Sequence, residues 1–366
     1  MKHLPIIVIL SFLASAVSAQ TGTEGNFDFK EGYELNLIGK IMDGTPNPYH
    51  RVDTTVYKGF TEYENNLVRC SAGLAVLFQT NSTAISVKSD YGFIYNSYTT
   101  APISYMGYDL YIKEDGNWKW AGAGASYTRG GTDNVVLVKD MDTGMKECLL
   151  YLPMYSELHS CRIGVDKGSI LEPMETPFRH RIAVYGSSFT QGVCTSRSGM
   201  SYPMQFERYT GMQVVSLATS GNCKMQPQFA AVLEDVEADA YIFDTFSNPG
   251  RGEIRERLVG FIDRMVAAHP GKPMIFQQTI SYPMGNFDKV TREWIETKQA
   301  LVEKIMSEEV LGKPQYKDVY FIHPVAESPL YGSSADGLHP DDYGYYIWEK
   351  SIESQVLEIL EKYGIE

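Results

Sequence analysis

The chain has 366 residues, enough for about two domains, and carries 32 Lys and Arg against 45 Asp and Glu, a net charge of −13. That balance argues against nucleic acid and anionic membrane surfaces as partners, since both call for basic patches, and leaves small neutral substrates open. The five cysteines form no CxxC, the histidines form no HExxH or HxH, and neither a P-loop nor a dinucleotide fingerprint occurs, so no metal and no cofactor is expected.

Residues 1–19 start on Met1-Lys2-His3, run through the apolar LPIIVILSFLASAV and end on the small residues Val17, Ser18 and Ala19. This is the layout of a secretory signal peptide cut before Gln20; the apolar run is short for a bilayer, and no cysteine follows the cut to take a lipid. An exported chain, periplasmic or secreted and without a membrane anchor, is the expectation.

From Tyr33 to Asp166 short alternating runs are broken by turn residues, and residues 20–175 read as an all-β sandwich. TAISVKS puts Ile85 and Val87 on one face. YDLYIKEDGNWKW is two strand-like runs about Asp115-Gly116, a strong hairpin signal. NVVLVKDMDTGMKECLLYLPMY repeats that form, with DMDTG as its hairpin turn; the segment lacks the later ligands and terminal Glu of a calcium loop. No helical stripe is predicted in this half.

After a link at 168–179 the rhythm changes. Apolar runs at 181–186, 213–218, 240–245, 273–279 and 319–324 alternate with the amphipathic stretches GEIRERLVGFIDRMVAAHP and KVTREWIETKQALVEKIMSEEVLG, and a last helix closes the chain. Residues 176–366 therefore read as a three-layer, doubly wound α/β domain, a parallel sheet with helices on both faces.

Open parallel sheets bind ligands beyond the carboxyl ends of their strands. After the first strand stands Gly186-Ser187-Ser188, after the second Thr219-Ser220-Gly221-Asn222, and after the third Phe246-Ser247-Asn248-Pro249. Before the last helix comes ADGLHPDD, with Asp336 three residues ahead of His339. Each block alone reads as ordinary turn chemistry. Together they put a hydroxyl, backbone and amide donors and an Asp–His pair on one sheet edge.

The blocks YGSSFTQG, ATSGN, FSNP and DGLHP, in this order, resemble those of the SGNH or GDSL hydrolase superfamily, and GYDLY at 107–111 resembles the GxDLY motif of a β-rich domain that precedes one branch of it. The chain departs from the pattern at Ser187, where the family usually has an Asp outside the triad; two serines are thus candidates, and the register favours Ser188. The resemblance implies Ser188 as nucleophile, His339 as base, Asp336 as its orienting carboxylate, and an oxyanion hole from the N–H groups of Ser188 and Gly221 and the Asn248 amide. Gly221 is expected to let the backbone approach without a Cβ, and Gly186 and Gly192 to permit the tight loop. Arg197 and Gln278 are placed by position as possible substrate contacts, and Cys194–Cys223 as a disulfide bracing the two oxyanion loops.

The implied function is an exported ester hydrolase acting on a glycan O-acyl ester, most simply acetyl. Two alternatives stay open. One is a carbohydrate-binding protein with a degenerate hydrolase half; the other is a lipase or thioesterase of the same family, against which the site loops offer no conspicuously apolar segment. Oligomeric state is open.

Overall fold

The computed structural model describes residues 26–366, and the signal segment read at 1–19 lies outside them. Strands β1 (Phe27–Glu31), β2 (Asn36–Ile38), β3 (Ala75–Thr80), β4 (Ile85–Ile94), β5 (Tyr108–Glu114), β6 (Asn117–Gly124), β7 (Val135–Val138), β8 (Lys146–Tyr151), β9 (Ser156–Asp166) and β10 (Leu171–Pro173) form two antiparallel sheets. One is ordered β1-β9-β4-β7; the other is β10-β3-β8-β5-β6, with β2 also paired to β3. Ile85 and Val87 point into the core between the sheets, beside Val76, Phe78, Leu110 and Leu150. The intervening residues of the larger sheet, Ala75, Leu77, Tyr111, Leu149 and Tyr151, face the C-terminal half instead, so that sheet is covered on both sides.

The Asp115-Gly116 turn joins β5 to β6 with both residues at positive φ, 51° and 79°, as a type I′ hairpin requires. The second expected hairpin does not form. β7 pairs with β4 and β8 with β3 and β5, so DMDTG carries the chain from one sheet to the other. Nor is this half free of helix. α1 (Glu62–Arg69) starts on a Thr61–Glu64 capping box, and α2 (Pro102–Met106) starts on its proline. α1 spans two turns, too short for a periodic stripe to stand out.

The C-terminal half holds β11 (Arg179–Gly186), α3 (Ser188–Gln191), α4 (Tyr202–Thr210), β12 (Met212–Ala218), α5 (Pro227–Glu234), β13 (Ala240–Asp244), α6 (Arg251–Ala268), β14 (Met274–Gln277), α7 (Lys289–Ile305), β15 (Val319–Ile322) and α8 (Asp342–Glu361). The strands form a parallel sheet ordered β12-β11-β13-β14-β15. Side chains alternate between its faces: Ala183 and Tyr185 pack toward α5 and α6, Ile182 and Val184 toward α4 and α8. The order reverses at β11, and Gly186 pairs with Ala218 on one side and Asp244 on the other, so three strands end level at the switch point. Among the described residues no helix is long and apolar enough to cross a membrane.

Candidate active site

β11 ends in a bend that its residues dictate. A Cβ at Gly186 would collide with the Thr190 side chain, and Gly192 closes α3 in the left-handed region at φ 92°. Ser187 is the N-cap of α3: its Oγ accepts from the Phe189 N–H (3.1 Å) and donates to Asp244 Oδ2 (2.7 Å). Ser188, the first residue of the helix, is turned toward a cavity of about 450 Å³ lined also by Gly221, Asn248, Tyr282, Trp294 and His339. The two serines are therefore distinguished by their partners.

His339 Nε2 lies 3.0 Å from Ser188 Oγ, and its Nδ1 lies 2.8 Å from Asp336 Oδ2. The other Asp336 oxygen accepts from the N–H groups of Leu338 (2.9 Å) and His339 (2.7 Å), so one short loop aims both groups. Burial pushes the Asp336 carboxyl up, but the His339 side-chain and backbone hydrogen bonds outweigh it and hold the group well below the usual carboxylate range. Cys194 Sγ adds a thiol contact at 3.6 Å to the same carboxylate. Cys194, Asp336 and His339 have ligating atoms within 4.8 Å of one another, where an ion would have to replace the Asp–His hydrogen bond.

Asn248 Oδ1 accepts from the Cys223 N–H (3.1 Å), which leaves the Asn248 NH₂ as the donor end on the cavity. Gly221 stands at φ 73°, in the left-handed region that favours glycine, on the wall of the cavity.

Three expectations fail. Cys194 and Cys223 are free thiols. The Gly192 cap turns Cys194 toward Tyr105, Met154 and Tyr155 of the β-rich half, whereas Cys223 lies under the sheet's other face beside Phe229, its thiol on the Asp244 carbonyl (3.4 Å). Gln278 is buried against α7, its amide donating to Glu303 Oε1 (2.9 Å) and the Gln299 carbonyl (3.3 Å), away from the cavity. Arg197 ion-pairs with Asp109 (3.2 Å) and lies over the Trp120 ring (5.1 Å). It joins the halves. Asp109 is the aspartate of GYDLY, and it also accepts from the Gly199 N–H (2.9 Å).

Asp244 was missed. It is fully buried beneath the bend and accepts from Ser187, Thr190 (2.9 Å) and Ser247 (3.0 Å), which places a carboxylate under the Ser187–Ser188 loop of a chain that has Ser187 in place of the family's Asp. Burial raises its pKa, opposed by those donors. A charged residue ending the apolar run AYIFD was the visible signal. Lys298 was missed as well. It is buried, donates to the Ser247 carbonyl (2.8 Å) and lies 3.8 Å from the Trp294 ring centre.

Residues 179–357 match the GDSL-like lipase/acylhydrolase family, and residues 27–171 match the GxDLY family found at the N-terminus of SGNH-type esterases. A crystal structure of a protein described as a GDSL-like lipase from Bacteroides ovatus is 37% identical, with a TM-score of 0.86, covering 92% of this chain and 98% of that one. The chain belongs to the GDSL-like lipase/acylhydrolase family. It is thus an esterase-type hydrolase by family. Salicylyl-acyltransferase SsfX3 shares the fold at 18% identity (TM-score 0.67; 91% of this chain, 98% of that one). So does a family two carbohydrate esterase from Clostridium thermocellum, in complex with cellohexaose, at 14% identity (TM-score 0.54; 79% and 93%). No curated protein matches the chain.

Proposed function

We propose that the chain is an exported serine ester hydrolase that removes a small acyl group, acetyl in the first instance, from a glycan hydroxyl. The observation that carries the chemistry is the run Ser188 Oγ–His339 Nε2 (3.0 Å) and His339 Nδ1–Asp336 Oδ2 (2.8 Å) at the edge of an open cavity. With Nδ1–H held in its hydrogen bond to the Asp336 carboxylate, Nε2 takes the Ser188 proton as Oγ attacks the acyl carbonyl, and His339 becomes an imidazolium that Asp336 stabilises. The tetrahedral oxyanion is held by the N–H groups of Ser188 and Gly221 and the Asn248 amide. On collapse the alcohol leaves with the proton from His339, and water repeats the cycle to release the acid. The glycan half of the proposal draws on the carbohydrate esterases that share the fold.

A second reading has its own support. The segment 282–294 lines the cavity with Tyr282, Met284 and Trp294, and Phe287 and Val290 on it are 96% and 78% exposed. Such a rim favours longer or aromatic acyl groups over acetyl. Residues 20–366 should release acetate from acetylated oligosaccharides and from p-nitrophenyl acetate, and Ser188→Ala should not. A folded wild type that hydrolyses neither ends the acetyl reading. Rates that climb from the acetyl to the octanoyl ester select the second.

A further inference from the structure

Arg51, in the loop before α1, is fully buried at the seam between the halves. Its Nε donates to the carbonyl of Cys70 (2.8 Å) and its Nη2 to that of Leu67 (2.6 Å), at the C-terminal end of α1, where unpaired carbonyls and the helix dipole favour a cation. Its Nη1 donates to the carbonyls of Ser216 (3.1 Å) and Ala218 (2.9 Å). Those two residues have the same parity on β12, the edge strand of the parallel sheet, so Arg51 occupies carbonyls that the sheet leaves open. A buried guanidinium is tolerated only when its donors are used. Five donors set against four carbonyls therefore fix where β12 ends relative to α1.

The next residues are Thr219, Ser220 and Gly221. A second tie reaches them from the same side: the Gln191 side chain donates to the Met154 carbonyl of the β-rich half (3.0 Å) and accepts from the Ser220 N–H (2.9 Å). Beside the Arg51 tie the two halves pack closely, since a Cβ at Gly73 would lie 2.9 Å from the Ser216 Cβ.

We propose that Arg51 and Gln191 are positioning residues for the Gly221 N–H, and that the β-rich half serves as the outer wall of the oxyanion loop. The inference rests on the Ser188 hydrolase reading. Oxyanion donors work only within about 2.7–3.1 Å of the developing charge, and a misplacement of about 1 Å can cost ~10²-fold in rate. Neither residue is among those lining the cavity.

The test uses residues 20–366 as wild type, Arg51→Ala and Gln191→Ala, with kcat and KM on p-nitrophenyl acetate, thermal melts, and affinity for an alkylboronic acid that forms a tetrahedral adduct on serine. Positioning lowers kcat by about 10- to 100-fold while KM stays within about 2-fold, and boronate affinity falls by the same factor as kcat. Millimolar guanidinium should restore part of the Arg51→Ala rate. Variants that melt earlier yet keep kcat and boronate affinity within about 2-fold overturn the proposal, as does a rise in KM alone. If Arg51→Ala does not fold, Gln191→Ala decides. Failure of the underlying reading looks different: Ser188→Ala then turns over like wild type, and wild type does not bind the boronate.

Discussion

At its carboxyl edge the parallel sheet faces the cavity of about 450 Å³ that holds Ser188 and His339; at its amino edge lies another of about 510 Å³, lined by Arg181, Glu237, Asp239, His269 and Lys272. Both offer a histidine, the amino-edge cavity adds acidic groups to its lining, and it is the larger of the two. They differ in where their polar atoms point. Asp239 accepts from the Arg181 N–H (2.9 Å) and pairs with Lys272 (3.4 Å); His269 stacks on Tyr241 at 4.3 Å and bonds the Leu233 carbonyl (2.8 Å). These groups are spent on structural partners. At the carboxyl edge the partners orient each group and leave one atom facing the cavity: Asp336 turns His339, and Cys223 turns Asn248. Strand direction produces the difference, because carboxyl ends lead into helix N-termini whose first N–H groups have no intrahelical partner. Chemistry follows chain direction, and cavity size does not predict it.

The largest effect is expected at Ser188. Ser188→Ala should lower kcat on p-nitrophenyl acetate by about 10⁴-fold or more. Ser187→Ala should cost less than about tenfold, with a loss of about 1–2 kcal/mol in stability for the removed N-cap and the bond to Asp244. Equal losses would mean that the adjacent serines share the role. Asn248→Ala comes next, at about 10²- to 10³-fold in kcat with KM nearly unchanged.

What sequence reasoning reached follows from the same physics. Continuous apolar runs betray buried parallel strands, and small polar residues just beyond them mark the sheet edge, so Ser188, Gly221, Asn248 and the Asp336–His339 pair were legible by position. Lys298, Gln191 and Arg51 were not, and Asp244 showed only as a charge closing the apolar run AYIFD. Each has at least one partner tens of residues away, as Asp244 has Ser187 and Lys298 has Ser247, and nothing local distinguishes Arg51 from a surface arginine. The Cys194–Cys223 pairing failed for a related reason: residues that follow neighbouring strands need not lie on one face. The turn at 140–144 failed because turn chemistry does not say which sheet the chain enters next.

One lysine at each edge separates the two further. Lys298, beneath the carboxyl edge, is driven down to about 7 by burial, against the pull of Asp244 and Glu253. Its folded pKa lies below the unfolded value, so between about pH 7 and 10.5 the unfolded chain binds more protons and this group's contribution to stability rises with pH. Urea melts of wild type and Lys298→Met across that window should diverge in slope by up to about 1.4 kcal/mol per pH unit, wild type gaining as pH rises. Parallel slopes would place the amine in water.

Lys272 at the amino edge should do none of this. Its side chain is 43% exposed and its ion pair with Asp239 is open to solvent, where such pairs contribute about 0–1 kcal/mol. Lys272→Ala should leave kcat/KM within about 2-fold and lower stability by no more than about 1 kcal/mol, a change that fades with added salt. A tenfold loss of kcat/KM would refute the contrast between the edges, because Ser188 and His339 lie at the carboxyl edge, beyond the opposite ends of β13 and β14. Charge at the amino edge would then have to act through the strands themselves. Between their ends the strands present the buried, apolar Ile242, Phe243, Ile275 and Phe276, and the two ionisable side chains of β13, Tyr241 and Asp244, stand toward its opposite ends.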